Sequence, residues 1–460
     1  MDKGIIKNRV GRTPMIRAKK LEKELNVGKI FLKLEGNNPS GHREDRLAYL
    51  IIRDALTRGK KTICMGTYGT VGGSLSYLSQ YFDVKLVFYV PSKRKVLRKD
   101  LLDNEKVELR EFGKTYEDCV IESRRVSREN DWYNANPGLA NNVMNMYAFS
   151  YIGREVVSYL EGDIDNIYCQ TSSGSSISGL HLGLKQIWIT EELERVPKIN
   201  AVATSHGNAI VESFNKGLDK IEELDRKKLK GTRTNRNTLN WKCFNGQDAL
   251  NSIHDTGGRA IGVSDDDVKK YAKKIRKMER IKITAPNAYP VAAFVKDAEE
   301  GRIGKGNHIL ILNDGRVGVD IRRMTKEDLN VSYEEFLDIL DEWLVQFTDP
   351  KEEMTEAVDN AFRDGMVFCA FYQNDLVGIS ILSRSHWDEF FPLYHLSYIA
   401  TKKGLKGMGI ATQLMQKSVD ATDGSLSLHV ETDNRRAIKL YEKMGFRKKY
   451  YRMLYKGSGE

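Results

Sequence analysis

The chain has 460 residues, which at about 150 residues per domain predicts two or three domains. Hydrophobic residues make up 40% of the chain and charged residues 30%, and 21 Tyr and 16 Phe stand against 9 Pro, so extended disorder is excluded. The net charge of +10 favours anionic ligands such as phosphates. No run approaches the roughly 20 apolar residues of a membrane span, and the opening MDKGIIKNRVGRTP lacks the apolar core of a signal peptide. We therefore expect a cytoplasmic protein without a membrane partner.

The cysteines form neither a metal-binding nor a disulfide pattern. They lie far apart, with no CxxC or Cys/His cluster, at Cys64, Cys119, Cys169, Cys243 and Cys369. We therefore expect buried free thiols and no bound metal.

The most basic stretch runs from Arg226 to Lys242, RKKLKGTRTNRNTLNWK, and contains no acidic residue. A nucleic-acid contact is one interpretation, but no stacking platform or nucleic-acid motif accompanies the charge. The sequence therefore predicts a solvated loop here, and nucleic acid is not an expected partner.

Predicted strands and helices alternate from residue 29 to about residue 315. The strands are KIFLKLEG, KTICMG, KLVFYV, NIYCQ, KINAVATS and NHILILNDG, and the first two helices are DRLAYLIIRDALTRG and GTVGGSLSYLSQYF. Short apolar runs that end in Gly, Ser or Asn loops and lead into helices are typical of buried parallel strands. Such sheets bind ligands beyond the carboxyl ends of their strands, so we expect a site in these loops.

The pattern changes after Arg316. RVGVDIRRMTKEDL predicts a strand, VSYEEFLDILDEWL a helix, and MVFCAFYQNDLVGISILSR an antiparallel hairpin with Asn374 and Asp375 at its turn. A parallel α/β pattern thus gives way to α+β. We place the boundary near residues 317–320, with one domain at 1–318 and a second at 319–460.

Three segments of the first domain carry a family resemblance: GRTPMIRAKKL, KLEGNNPSGHREDR and NWKCFNGQDALNSIHDTGGRAIGVSDDDV. In order and spacing, residues 11–316 resemble fold-type II pyridoxal-phosphate (PLP) enzymes, the group of threonine synthase and cysteine synthase. The resemblance implies a parallel α/β fold of two subdomains, like that of the tryptophan synthase β subunit. A fold alone does not carry function.

The positions that the resemblance assigns to catalysis hold other residues. Glu44 stands where the Schiff-base lysine is expected, and a carboxylate cannot form an imine with an aldehyde. Further departures are His42 for a serine, Thr70 for an asparagine, Ala285 to Ala288 for a Glu-Pro-x-Ser segment, and Asn313 to Gly315 near the expected partner of the pyridine nitrogen. Lys33 lies in a strand pattern and matches a different family position, so it is not expected to substitute. PLP is therefore a possible ligand, but not as an aldimine at residue 44.

One feature of the resemblance is kept. The segment after the strand NIYCQ enters a helix through a loop of small polar residues, where the family binds the cofactor phosphate: Ser172, Ser173, Gly174, Ser175 and Ser176. Hydroxyl and backbone N–H groups at a helix start can hold an anion. A polar turn without a ligand is the alternative interpretation.

The second domain contains a strand, a basic glycine loop and a helix in YHLSYIATKKGLKGMGIATQLMQKSV, followed by NRRAIKLYEKMGF. Over about 320–460 these segments resemble the GNAT superfamily of acetyl-CoA-dependent N-acyltransferases, with a lysine where the loop usually has Arg or Gln. The resemblance implies strand contacts to pantetheine, a loop around the pyrophosphate and one asparagine contact to the cofactor, from Ile399, Ala400, Thr401, Lys406, Gly407, Met408, Gly409, Ile410, Ala411, Thr412 and Asn434.

The same resemblance implies a proton donor and leaves the general base open. Tyr441 lies where the family often keeps a general acid for the departing thiolate, although an ordinary amphipathic-helix tyrosine is the alternative. Glu431 is the candidate base, with His429 on the same predicted strand and His395 on the strand before the loop. For each of these three residues, a role in packing or at the surface is the alternative interpretation.

Three functions follow from these patterns. The favoured one is an acyl-CoA-dependent N-acyltransferase, using acetyl-CoA, that acts on an amine such as an amino acid or its derivative. Its first domain would have lost the catalytic lysine and would bind an amino-acid-like ligand or an anion, or shape a homodimer. The alternatives are a bifunctional enzyme that adds PLP-dependent lyase or synthase chemistry, and a regulatory binding protein.

Overall fold

The computed structural model describes residues 9–67, 69–92, 104–138, 141–160, 163–372, 375–385, 392–403, 405 and 409–449. The chain divides into two compact units. The larger runs from Val10 to Val319, and the smaller takes Asp320–Lys403 and the chain from Ile410 onward. None of the described helices is both long enough and apolar enough to span a membrane.

The larger unit alternates strands and helices. Its strands are β1 Met15–Arg17, β2 Lys29–Leu34, β3 Thr62–Gly66, β4 Lys85–Val90, β5 Val107–Glu111, β6 Tyr133–Asn134, β7 Asn166–Gln170, β8 Lys198–Thr204, β9 Ala260–Val263, β10 Ile281–Lys282, β11 Asn307–Leu312 and β12 Arg316–Val317. Its helices are α1 Lys19–Leu25, α2 Asp45–Thr57, α3 Thr70–Ser79, α4 Tyr116–Glu129, α5 Asn142–Leu160, α6 Ser175–Ile189, α7 Ala209–Asn215, α8 Gly246–Asp255, α9 Asp265–Glu279 and α10 Tyr289–Glu299. Short 3-10 turns lie at Glu35–Asn37, Arg226–Lys228 and Ala285–Asn287.

Two separate parallel sheets carry this unit. The first has the order β1-β2-β11-β7-β8-β9, and the second the order β5-β4-β3-β6. Within these two sheets every pairing is parallel except that of the edge strand β1 with β2. The short strands β10 and β12 form a separate antiparallel pair. The predicted parallel α/β fold with two subdomains is confirmed, and β1 is an antiparallel edge strand that the sequence did not predict.

The central strands are buried along most of their length. All six residues of β11 are buried, as are the last five of β2 and β4. Near-continuous apolar runs of this kind belong to strands covered by helices on both faces. Because the strands are apolar, the polar residues of the sheets lie mainly in the loops that follow the strands.

The smaller unit is an α+β fold, as predicted. Its strands are β13 Asp320–Met324, β14 Met366–Tyr372, β15 Asp375–Arg384, β16 Tyr394–Thr401 and β17 Leu426–Leu428, and its helices are α11 Tyr333–Leu344, α12 Lys351–Arg363, α13 Ile410–Ala421 and α14 Arg435–Met444. The sheet has the order β13 to β17, antiparallel up to β16 and parallel between β16 and β17. Helices α11 and α12 bury Phe336, Leu340 and Val358 against one face.

The basic stretch corrects one prediction. Residues 226–228 and 230–233 are exposed, but Thr234, Thr238 and Asn240 are buried, so only the first part is a solvated loop. The buried part is rich in Asn and Thr, whose side chains bond to neighbouring backbone and can be buried without a penalty once paired. Thr238, for example, donates its hydroxyl to Asn235 O.

All five cysteines are buried and free. Burial raises the pKa of every one of these thiols, to about 11 for Cys64 and about 12 for Cys243 and Cys369. No group of His, Cys, Asp and Glu suited to a metal ion occurs among the residues that the structure describes.

Candidate functional site

A cavity of about 140 Å³ lies in the larger unit, at the carboxyl ends of strands from both parallel sheets. β3 contributes Gly66 and is followed by Thr67, β7 contributes Gln170 and is followed by Thr171, and β11 is followed by Asn313. All of these residues line the cavity. This is the position where α/β sheets hold ligands.

The predicted anion-binding loop, residues 172–176, lines one side of the cavity. Gly174 has a φ of 108° and precedes α6, and a Cβ atom there would lie 2.2 Å from the carbonyl oxygen of Asn245, so only glycine fits. The hydroxyls of Ser175 and Ser176 donate to Asn245 Oδ1 at 2.9 Å and Gln170 O at 3.2 Å. No side chain of the described residues caps α6, and Ile177 N donates to Gly174 O at 3.0 Å, so the N–H groups of Ser175 and Ser176 are the ones that can face an anion.

Glu44 also lines this cavity, beside the buried Arg43. It precedes α2, and its Oε1 accepts a hydrogen bond from Arg43 Nη2 at 3.1 Å. The same guanidinium donates from Nη1 to Gln170 O at 3.3 Å and lies 5.1 Å from the centre of the Phe149 ring. A buried ion pair therefore stands at the position that the resemblance gives to a lysine.

Within the part of the chain that the structure describes, several side chains that line the cavity have a buried oxygen without a hydrogen-bond partner. Glu44 Oε2 and Gln170 Oε1 are two of these atoms. The others belong to Asn145, Thr171, Asn237, Asn240 and Asn313. Each buried polar group left unpaired costs about 1–3 kcal/mol, so this lining is suited to a polar ligand.

Lys33 does not line the cavity. Its amine donates to Thr13 O and to Glu155 Oε2, both at 2.6 Å. Burial lowers the pKa of Lys33, against the opposing effect of Glu155 and Glu35. Arg46 pairs with both of these carboxylates, at 2.8 Å for Glu35 and 2.7 Å for Glu155, which completes a buried cluster of two cations and two anions.

In the smaller unit, strand β17 ends at Leu428, which pairs with Leu396 of the longer strand β16. Their parallel pairing covers only Tyr394 to Leu396, while β16 continues to Thr401. Ile399, Ala400 and Thr401 pair with β15 on the other edge, so within the described residues they have no strand partner on the β17 side. This free edge can bond an extended chain that contains amides.

The predicted pyrophosphate loop is described only in part. Lys406, Gly407 and Met408 lie outside the described residues. Gly409 has a φ of 74°, and α13 begins at the next residue, Ile410, which is buried. Ala411 and Thr412 lie in the first turn of α13, where backbone N–H groups have no partner inside the helix.

Asn434 precedes α14, the last described helix, and Tyr441 lies within it. Asn434 is the N-cap of α14, and its Oδ1 accepts from Ala437 N at 3.1 Å. Tyr441 is 9% exposed, and its ring centre lies 6.0 Å from that of Phe446. Burial raises the pKa of the Tyr441 phenol to about 12, so the hydroxyl keeps its proton at neutral pH, as a proton donor requires.

The three candidate bases differ in their surroundings. Strand β17 ends at Leu428, so His429 and Glu431 lie in the following loop, exposed, and not in a strand as predicted. His395 lies in β16 with its ring centre 4.7 Å from that of His429 and its Nδ1 3.0 Å from Ser427 Oγ. Burial, with a smaller effect of His429, lowers the pKa of His395 to about 4, which is poorly matched to a base at neutral pH.

Sequence comparison decides the family of the larger unit. Residues 6–315 match the family described as pyridoxal-phosphate dependent enzymes. The chain belongs to this family. Residues 334–446 match the acetyltransferase (GNAT) family, so the chain also carries a GNAT domain, and both predicted resemblances are confirmed.

Among the relatives of this PLP-family chain are synthases of amino acids. The threonine synthase of Methanocaldococcus jannaschii is 24% identical over 309 residues, 66% of this chain and 74% of that protein. Cysteine synthase 1 of Emericella nidulans is 29% identical over 188 residues, 38% of this chain and 50% of that protein. Among solved structures, O-ureido-L-serine synthase aligns at 17% identity and a TM-score of 0.56 over 68% of this chain and 92% of that one, and maize serine racemase at 17% and 0.54 over 69% and 95%. These structures show the fold alone.

The residues around the cavity of this PLP-family domain do not fit a covalently bound PLP. No lysine lines the cavity among the described residues, and Glu44, which does, cannot form an imine. The amine of Lys33 is held by Thr13 and Glu155. The sequence did not single out Arg43, Gln170 or Asn240 of the lining, although the Asn-rich run TNRNTLN was a usable signal.

Proposed function

We propose that the protein is an acyl-CoA-dependent N-acyltransferase that uses acetyl-CoA and accepts an amine, such as an amino acid or an amino-acid derivative. In this proposal the larger unit does not carry out PLP chemistry. The GNAT domain supports acyl transfer, and the free edge of β16 beside the start of α13 is the observation that carries the proposal. Residues 399–401 would bond the pantetheine amides, and the first turn of α13 would face the pyrophosphate.

The proposed reaction needs a nitrogen nucleophile and a leaving thiolate. The amine nitrogen attacks the thioester carbonyl, a C–N bond forms, the C–S bond breaks, and the sulfur takes a proton. A phenol with a pKa of about 12 is a weaker acid than a thiol near 8.5. Tyr441 would therefore first donate a hydrogen bond to the sulfur, which stabilises its developing charge. Glu431 stays a predicted base, because an exposed carboxylate can take the proton of the incoming ammonium through water.

The test is the release of free CoA from acetyl-CoA in the presence of a panel of amines, with the acylated product identified by mass spectrometry. The panel should contain free amino acids, their esters and simple alkylamines. Acceptor-dependent CoA release would support the proposal. Acetyl-CoA that binds but is never consumed with any amine would favour the regulatory alternative.

A double variant of Gly407 and Gly409 to bulky residues tests where the cofactor binds. Gly409 adopts a φ of 74°, so a side chain there strains the loop before α13. We expect CoA affinity, measured by calorimetry, to fall at least tenfold. Unchanged affinity would refute the assignment of this loop.

We also propose that the larger unit forms a homodimer. Val143, Tyr147 and Tyr151 lie four residues apart along α5 and are 77%, 40% and 40% exposed. Residues at this spacing share one face of a helix, and an exposed apolar stripe is typical of a contact surface.

A further inference from the structure

We propose that the cavity in the larger unit binds a small anionic amine without a covalent bond. The ligand carries one ammonium group, held by Glu44, and one carboxylate or phosphate, held at the start of α6. The site goes beyond the acyltransferase function proposed for the other unit, and neither proposal depends on the other.

The ammonium end follows from two buried acceptors. Glu44 is 8% exposed and Gln170 is 3% exposed, and both line the cavity. Glu44 Oε2 and Gln170 Oε1 have no hydrogen-bond partner among the residues that the structure describes. The orientation of the Gln170 amide is fixed, because its Nε2 donates to Pro286 O at 3.0 Å. An ammonium group has three N–H donors and no acceptor, so it satisfies both oxygens and leaves one donor for a neighbouring asparagine.

The anionic end follows from the loop that precedes α6. This helix has 15 residues, its N-cap is Gly174, and no side chain of the described residues caps it. The hydroxyls of Ser175 and Ser176 donate to other protein groups, and the N–H groups of Ile177 and Ser178 donate to Gly174 O. The backbone N–H groups of Ser175 and Ser176 are therefore the donors that can face a ligand. Their partial positive charge favours a carboxylate or phosphate.

The charge and size of the cavity agree with this ligand. The charged residues of the lining are Arg43, Arg236 and Glu44. Groups of both signs therefore face the cavity, as a ligand with one ammonium and an acidic group requires, for example an acidic amino acid or a phosphorylated amino alcohol. The volume of about 140 Å³ equals roughly five waters at ~30 Å³ each, below the ~300–1,000 Å³ of pockets for drug-sized ligands.

The test uses the full chain and calorimetric titration with matched compounds. L-aspartate and phosphoethanolamine carry the ammonium with a carboxylate or a phosphate, while succinate and ethyl phosphate lack the ammonium. We expect at least one of the two amines to bind 10- to 100-fold more tightly than its matched compound, the range for a hydrogen bond to a charged group. Which amine binds distinguishes the carboxylate from the phosphate.

The variant Glu44→Gln keeps the shape of the side chain and removes its charge. Its affinity for the amine should fall at least tenfold, while inorganic phosphate binds as it does to the unaltered protein. Glu222→Gln, at an exposed carboxylate paired with Lys216, is the matched control and should change neither. Circular dichroism checks that Glu44→Gln folds, and the comparison of amines with matched compounds needs no variant.

Four results would overturn the proposal. The first is equal binding of amines and matched compounds, the second is an unchanged affinity in Glu44→Gln, and the third is binding of none of the four compounds. Tight binding of PLP or inorganic phosphate alone would also overturn it, because the cavity would then be an anion site only. Acetyl transfer by the other unit is measured separately by the release of CoA, so a failure of the acyltransferase proposal would not be confused with these results.

Discussion

The buried cluster around Glu155 makes a quantitative prediction. This carboxylate accepts hydrogen bonds from Arg12 N at 2.8 Å, Thr13 N at 3.3 Å, Lys33 Nζ at 2.6 Å, and Arg46 Nη1 and Nη2 at 2.7 and 2.8 Å. Although burial opposes it, Arg46 and Lys33 hold the pKa of Glu155 well below its usual range. The variant Glu155→Gln keeps the length of the side chain and removes this charge.

The magnitude follows from what the variant leaves behind. The side chains of Lys33 and Arg46 are 2% and 3% exposed, and only Glu35 would remain to balance them. Breaking a buried pair in this way costs about 3–5 kcal/mol, because one buried charge is left uncompensated. For about 310 residues from Val10 to Val319, at ~2.1 cal/mol/K per residue, this lowers the melting temperature by about 5–8 °C.

The assay is urea unfolding of the full chain, followed by circular dichroism, with calorimetry for the melting temperature. Glu222→Gln removes one carboxylate from a pair whose side chains are both 54% exposed, and it should leave the midpoint unchanged. If Glu155→Gln unfolds at the same urea concentration as this control, the buried cluster does not stabilise the fold and the reasoning is wrong.

Four further predictions concern pH, catalysis, assembly and colour. Burial raises the pKa of Asp45 to about 6 from 3.8, so its favourable contribution to stability is complete below pH 3.8 and is lost as the pH rises through about 6. Between pH 4 and pH 7, the free energy of unfolding of Asp45→Asn should therefore rise by about 3 kcal/mol relative to that of the unaltered protein. Urea unfolding measures this difference, and a difference that stays constant with pH would contradict the prediction. Tyr441→Phe should lower kcat at least ~100-fold with little change in CoA affinity, and equal losses in both would make it a packing residue. Val143→Glu should convert the dimer to a monomer in light scattering, whereas an unaltered protein that is already monomeric would refute the dimer. The purified protein should be colourless, with no borohydride-trapped adduct at Glu44. A yellow protein whose PLP is trapped by borohydride on a lysine elsewhere in the chain would favour the bifunctional alternative.

The central strands could be predicted because burial on two faces leaves a simple sequence pattern. β4 and β11 coincide with the apolar runs KLVFYV and NHILIL. The edge strand β5, VELRE, was missed because it has no buried residue and thus no apolar run. Helix α12 was missed too, although Met354, Val358 and Ala361 mark one helical face.

The site could be predicted only where a local motif marks it. The loop at residues 172–176 was found because a strand, small polar residues and a helix follow each other directly. Asn145 lies on α5, whereas Arg236 and Asn240 lie in the loop before α8, so only tertiary packing brings the two segments together at the cavity, and no local pattern joins them. Arg43 was visible in the motif, but its pairing with Glu44 depends on burial, which the sequence does not give.

The burial of all five cysteines makes the protein ready for site-specific labelling. A thiol whose pKa is near 12 has almost no reactive thiolate at neutral pH, and a side chain inside the core is closed to a maleimide. A single cysteine introduced at an exposed position, such as Glu222, would therefore react alone, without removal of the native thiols. Fluorophores could thus be attached to either unit while the native cysteines are kept, and the distance between the two units could be followed as ligands are added.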